Sequence, residues 1–190
     1  MLILQPAPTA ETLEDDLPFS LLAELALGGF RSRATNRLRH DAGLTYGIRP
    51  HIVRSRSLGM LAITTAIEAS EASTAIKELL GTLDALQRSP VSNEELTRAK
   101  LSFLGHFERA VGHEQTLARM RAAGFAEGQK ARFLSELRER LRAIDAEDLR
   151  RVARRYLKPR DVEIGVAGGT SIARELDALG HLSVYTILQR

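Results

Sequence analysis

The sequence predicts a two-layer α+β domain, a mostly antiparallel sheet with a β-α-β-β-α-α core, covered on one face by helices. Three observations predict it. Hydrophobic periodicity yields the element order β-α-β-β-α-α-(α)-α-β-α-β, in which a hairpin is followed by a block of helices. The β-α-β-α alternation of a doubly wound sheet is absent. The 190 residues, 44% apolar and 27% charged, suit one ordinary domain that buries roughly 70% of the surface of its unfolded chain. No internal repeat, low-complexity tract or Gly/Ser linker divides residues 1–190, so the chain reads as a single domain.

Each element has a local reason. Met1-Leu-Ile-Leu-Gln-Pro6 reads as a strand, and its abrupt position suggests a piece excised from something longer. Residues 6–16 are turn-rich and acidic, placing negative charge where a helix dipole favours it. From Pro18, the spacing of Phe19, Leu22, Leu25 and Ala26 predicts a helix that buries one stripe. Gly28-Gly29 breaks it, Ser32 caps a second helix to about His40, and Gly43 supplies a left-handed C-cap. Residues 45–54 and 60–67 form two strands joined by the Arg/Ser/Gly turn at 55–59. Residues 72–87 are an amphipathic helix stopped by Pro90. Ser92-Asn-Glu-Glu95 is a capping box that opens the next helix, and helical spacing continues with interruptions near Gly112, Gly124 and Gly128. Asp145-Ala-Glu-Asp148 starts a helix closed by Pro159. Residues 162–167 are a buried-type strand, 170–179 a short helix and 181–188 a last strand.

Composition excludes several functions. With no cysteine, the chain has no disulfide, thiol nucleophile or cysteine-based metal site. No run of eighteen apolar residues marks a membrane span, and no charged-apolar-small leader opens the sequence. There is no tryptophan, and nine Phe and Tyr residues offer little stacking surface for single-stranded nucleic acid. The net charge of +3 is uneven, since residues 98–160 hold sixteen Lys and Arg against eight Asp and Glu. These Arg residues are spaced through helical patterns and interleaved with Glu, as in Glu136-Leu-Arg-Glu-Arg-Leu-Arg142. Solvated helix faces with i,i+4 pairs account for this better than a nucleic-acid footprint.

The titratable residues assemble no active site. His106 and His113 lie seven apart, about 10 Å along a helix axis, too far to share one zinc readily. Neither H-E-x-x-H nor H-x-x-E-H occurs. His40, His51 and His181 are scattered singles, and no G-x-S-x-G elbow is present. Gly165-Val-Ala-Gly-Gly-Thr170 faintly resembles a phosphate-binding turn but lacks the G-x-G-x-x-G order, so it reads as a strand-to-helix turn. Paired carboxylates fall at helix starts, where capping explains them.

One stretch is more specific. Leu27-Gly-Gly-Phe-Arg-Ser-Arg33, followed by Leu38-Arg-His-Asp-Ala-Gly-Leu-Thr-Tyr-Gly47, resembles the L-G-G…S-R-L…L-R-E-K-R-G-L-x-Y signature of the insulinase (pitrilysin-type) metallopeptidase family, which includes mitochondrial processing peptidase. Pro90-Val-Ser-Asn-Glu-Glu-Leu-Thr-Arg-Ala-Lys100 is similar to the family's T-x-E-E-L-x-x-A-K helix start. Asp145-Ala-Glu-Asp-Leu-Arg-Arg-Val-Ala153 resembles its T-x-E-D-V-x-x-V-A helix, and Val166-Ala-Gly168 its V-x-G strand end.

The resemblance implies two homologous halves around a chamber, one carrying zinc on H-x-x-E-H and a distal glutamate, the other without those ligands but completing the substrate site. This chain resembles the second half, with no metal and no activity alone. Its zinc would sit on the partner half, fused or separate, and its substrate would be a peptide. Self-association of the isolated chain is a further expectation. The family's substrate-holding Arg and Tyr map onto Arg39 and Tyr46, with Gly28, Gly29, Ser32, Arg33 and Gly43 as structural motif positions. An Arg fork and a phenol are both donors, and across the Gly43 bend they can converge on one peptide carbonyl or its oxyanion. The plain alternative is an Arg closing its helix and a Tyr packed in a half-buried strand. The family's E-K-R is replaced by His40-Asp41-Ala42 and the leucine after S-R by Ala34, which removes positive charge and thins a helix contact. A purely structural assembly subunit of the same fold is the rival reading. Twenty-three Arg to four Lys suggests a GC-rich bacterial genome, with periplasm and cytoplasm both open.

Overall fold

The computed structural model of the chain describes residues 1–126, 133–169, 172–180 and 183. Its sheet contains β1 (Leu2–Pro6), β2 (Ile48–Arg54), β3 (Gly59–Thr65) and β4 (Glu163–Gly165) in the order β2-β3-β1-β4, with every pairing antiparallel. Period-2 alternation sorts the side chains. Ile3, Gln5, Ile48, Leu61, Ile63 and Thr65 are buried, whereas Leu2, Leu4, Met60 and Ala62 are half-buried and Arg49, His51 and Thr64 exposed. Register aligns Ile3 with Ile63 and Gln5 with Leu61, so the buried set forms one continuous floor.

The β2–β3 hairpin closes where the Ser55 N–H meets the Leu58 carbonyl at 2.7 Å. The chain after β1 lies directly on its base, with the Ala7 N–H donating to the Gly59 carbonyl at 3.0 Å. A Cβ at Gly59 would stand 2.1 Å from the Ala7 oxygen, so only glycine admits this approach.

Helix α1 (Leu13–Leu27) lies on the sheet floor and packs against α4 (Asn93–Val111), α7 (Ala146–Tyr156) and β2. It starts five residues before Pro18, which sits inside it, and it buries Leu17, Leu21 and Ala23 besides the expected Phe19, Leu22, Leu25 and Ala26. The one-stripe expectation therefore understates it, because tertiary burial overrides both the proline signal and the local moment. Asp15, on the first turn, is fully buried. It accepts from the Arg155 guanidinium and the Tyr156 hydroxyl, each at 2.8 Å, and pairs with Arg151. Burial pushes its carboxyl up, but the Arg151 and Tyr156 hydrogen bonds outweigh that and hold it below its ordinary value. Burial also raises the Tyr156 phenol. Asp16 pairs with Arg54 of β2.

The remaining helices are α2 (Arg33–Thr35), which runs into a π-helical turn at Asn36–Asp41, then α3 (Ala72–Arg88), α5 (Glu114–Ala126), α6 (Phe133–Ala143) and α8 (Ile172–Leu176). Capping boxes at Ser92/Glu95 and Asp145/Asp148 open α4 and α7 where the sequence places them. The helix break at Gly112 is present, but α5 runs straight through Gly124. Strand β2 starts at Ile48 rather than residue 45 because Thr45 bonds side chain to backbone instead. Gly128, His181 and most of the expected last strand lie outside the described residues.

Much of the basic charge in residues 98–160 is used between and along helices. Arg98 pairs with Glu94, Arg138 with Glu108, and Arg151 with Asp15 and Asp148. Lys100 Nζ donates to the Arg142 and Ile144 carbonyls at 3.0 and 2.6 Å, closing the α6 C-terminus. Among the described residues, no helix is long and apolar enough to cross a membrane.

Two stability tests follow from this packing. Gly59→Ala should lower unfolding free energy by at least about 2 kcal/mol in urea titration, since the clash is with backbone that cannot rotate away. Asp15→Ala should cost about 2–4 kcal/mol. Because the folded-state carboxyl is depressed, its contribution is full above the ordinary carboxylate range and disappears as pH falls through it. Wild type should therefore lose more stability on acidification than Asp15→Ala does.

Candidate functional site

The end of α1 delivers the Gly28–Ser32 loop to the surface. Gly28 leaves the helix in extended conformation, and Gly29 takes φ +72°. A Cβ at Gly28 would fall 2.4 Å from Glu24 Oε2, so the close neighbour is this side chain rather than the backbone of another element. Ser32 Oγ caps α2, accepting from the Thr35 N–H at 3.2 Å and donating to Thr35 Oγ1 at 2.9 Å.

Arg33 makes a two-pronged pair with Glu95, Nε to Oε1 at 2.8 Å and the second nitrogen to Oε2 at 2.9 Å. Glu95 is also the third residue of the α4 capping box and accepts the Ser92 N–H at 3.1 Å. One carboxylate therefore joins the two sequence motifs that carry Arg33 and Glu95. The Arg33 guanidinium holds the Glu95 carboxyl down at about 2, against the opposing effect of burial.

The π-helical turn places Arg39 and is closed by the Ala42 N–H to the Arg37 carbonyl at 3.2 Å. Gly43 follows at φ +67°, and the Leu44 N–H reaches back to the Leu38 carbonyl at 2.7 Å. This is the left-handed cap the sequence predicts, widened by the π turn. The Arg39 guanidinium lies 4.5 Å from the Phe30 ring centroid, a cation–π contact with a ring that is itself 67% exposed. His40 Nε2 lies 3.3 Å from the Phe30 carbonyl oxygen, a second tie between the turn and the loop.

Tyr46 is 93% exposed. Its neighbours are not free. Buried Thr45 Oγ1 bonds Thr65 Oγ1 at 2.7 Å and the Ala66 carbonyl at 2.9 Å, and it accepts the Gly47 N–H at 3.2 Å. Thr65 Oγ1 donates to the Gly47 carbonyl at 2.9 Å. The phenol therefore projects from a pinned loop, not from a half-buried strand. Nothing in the sequence marks Thr45 and Thr65, because two threonines twenty residues apart give no local signal.

Arg39 and Tyr46 stand on either side of the Gly43 bend but do not line one hollow. A cavity of about 70 Å³ lies under the Gly28–Ser32 loop, walled by Glu24, Phe30, Glu95, Arg98 and Ser102 among others. A larger open hollow of about 480 Å³ is lined by Met1, Thr45, Tyr46, Gly47, Arg49, Thr64, Thr65 and Ala66. Arg39 borders neither. Beneath the loop, Glu24 Oε1 accepts from Ser102 Oγ at 2.6 Å and lies 3.3 Å from His106 Nδ1. Among the described residues, no three His, Asp or Glu side chains converge to hold a metal ion.

The class these features define is a two-layer α+β domain with no metal-holding cluster among the described residues. Residues 1–103 match the family described as the Peptidase M16 inactive domain, and the chain belongs to it. No curated protein matches the sequence. Solved structures share the fold. A peptidase M16 inactive domain from Pseudomonas fluorescens superposes with TM-score 0.74 at 17% identity over 85% of this chain and 39% of that one. The inactive domain of a protein assigned as a zinc protease from Bordetella parapertussis gives 0.70 at 22% identity, over 86% and 88%. A chain of complex III2 from Candida albicans gives 0.65 at 11%, over 85% and 40%. This chain thus spans well under half of the first and third.

Breaking the Arg33–Glu95 fork should cost about 2 kcal/mol. Arg33→Ala and Glu95→Gln should each show it in denaturant unfolding, and the double variant should cost less than their sum. Since Glu95 is depressed on folding, its contribution is full above about pH 4.5 and is lost as pH falls toward about 2. Glu95→Gln should flatten that limb of the stability curve.

Proposed function

We propose that this chain is the non-catalytic half of a zinc metalloendopeptidase, completing the peptide-binding chamber and positioning substrate through Arg39 and Tyr46. Zinc belongs to a homologous partner half, in cis or in trans, and no step of the chemistry passes through a metal on this chain. One observation carries the reading. Arg39 is held by stacking on Phe30 and Tyr46 by the threonine pins beneath it, so neither spends its donor groups on hydrogen bonds within the described residues. Donors kept free on fixed supports are suited to a carbonyl oxygen supplied from outside. The guanidinium fork would donate to one peptide carbonyl and the phenol O–H to another.

A second reading, an assembly subunit without a substrate role, is favoured by the likeness to a complex III2 chain. Kinetics separate the two. The chain alone should hydrolyse no peptide and bind no stoichiometric zinc. Joined to its zinc-bearing half, Arg39→Ala and Tyr46→Phe should each lower kcat/KM tenfold or more, as loss of a preset donor does. Melting temperatures should move little, because neither side chain belongs to the core. Unchanged kinetics in both variants would remove the positioning role and leave assembly.

A further inference from the structure

The hollow beside Tyr46 is lined by an arginine that the family signature does not include. Arg49 lies on edge strand β2, three residues past Tyr46, and its side chain borders the same hollow of about 480 Å³. Strand register sets Arg49 opposite Thr64, whose Oγ1 donates to the Arg49 carbonyl at 3.4 Å. That fixes the backbone of Arg49 and leaves its guanidinium out of any ion pair or hydrogen bond among the described residues. No Asp or Glu lines the hollow; the remaining residues are Met1, three threonines, Gly47 and Ala66. Many other arginines on this chain are paired with carboxylates, as Arg33, Arg37, Arg54, Arg138, Arg151 and Arg155 are. An unpaired guanidinium beside an exposed phenol presents donors that suit a carboxylate.

We propose that Arg49 makes this hollow an acidic-residue subsite, selecting peptides that place a carboxylate about one side chain from the segment held at Tyr46. The proposal rests on the reading that peptide lies at Tyr46, and it names a substrate preference that reading does not contain. The carboxylate can come from a Glu or Asp side chain or from a peptide C-terminus. Both present the same planar pair of oxygens to the Arg fork.

Because the chain has no tryptophan, a peptide with a single Trp reports its own binding through fluorescence. Three nine-residue Ala/Ser/Trp peptides serve as probes on the full chain: one with a central Glu and amidated end, the same with Gln, and the Gln form with a free C-terminal carboxylate. The Glu peptide, the free-carboxylate peptide or both should bind about tenfold more tightly than the amidated Gln peptide, and which one gains identifies the source. Arg49→Gln should abolish the difference without weakening the amidated Gln peptide, and Arg49→Lys should keep part of it. Tyr46→Ala should weaken all three alike. Equal binding of the three peptides to wild type, no binding at millimolar concentration, or an acidic preference that survives Arg49→Gln would each overturn the inference. Equal binding with a Tyr46→Ala effect would do so while sparing the peptide-positioning reading. An Arg49-dependent preference indifferent to Tyr46→Ala would uphold the anion subsite and sink that reading instead.

Discussion

Enclosing a helix on nearly every side forces its polar groups to find partners inside the protein, and α1 carries Asp15, Asp16 and Glu24 into that position. Each is answered by a different neighbour. Asp15 takes Arg151, Arg155 and Tyr156 from α7, Asp16 takes Arg54 from β2, and Glu24 takes Ser102 from α4. A buried carboxylate left without donors would cost several kcal/mol, so these contacts fix where α7, the hairpin and α4 sit around α1. The edge-on contact of Tyr156 with Phe19, ring centroids 5.5 Å apart, adds shape to the same junction. From its end, α1 hands the chain to the loop that carries Phe30.

The surface donors take their positions from this arrangement at one remove. Phe30 offers Arg39 a ring, the π turn and Gly43 bring the chain back toward the sheet, and Thr45 anchors on Thr65 before Tyr46 emerges. Nothing in this run is held by hydrogen bonds from the Arg39 guanidinium or the Tyr46 phenol. Stacking, a left-handed glycine and hydroxyl-to-backbone bonds do the holding, which leaves guanidinium and phenol available to an outside partner. The Arg33–Glu95 fork braces the base of the same loop against α4. Two motifs more than sixty residues apart in the chain are therefore one mechanical joint.

Local signals were legible wherever the physics is local. Capping boxes at Ser92 and Asp145, the left-handed Gly43 and the hairpin turn depend on residues within four positions of one another, and they stand where the sequence puts them. Pro18 misled because a start signal is worth little against the burial of a whole helix. The spacing of Arg39 and Tyr46 could be read, but not what supports them. Phe30 and Thr65 lie nine residues before the one and nineteen after the other, and only folding decides which side chains meet.

By itself, the sequence determined the α+β class, the order of elements as far as the short helix after β4, the family through its motifs and the charge of each segment, because period, capping and turn chemistry are written in neighbouring residues. The tertiary structure alone decided that Arg33 meets Glu95, that Asp15 is enclosed by α7, and that Arg49 rather than Arg39 shares a hollow with Tyr46. Those pairings depend on strand register and on which helix faces touch, and both are set by the packing of the whole core.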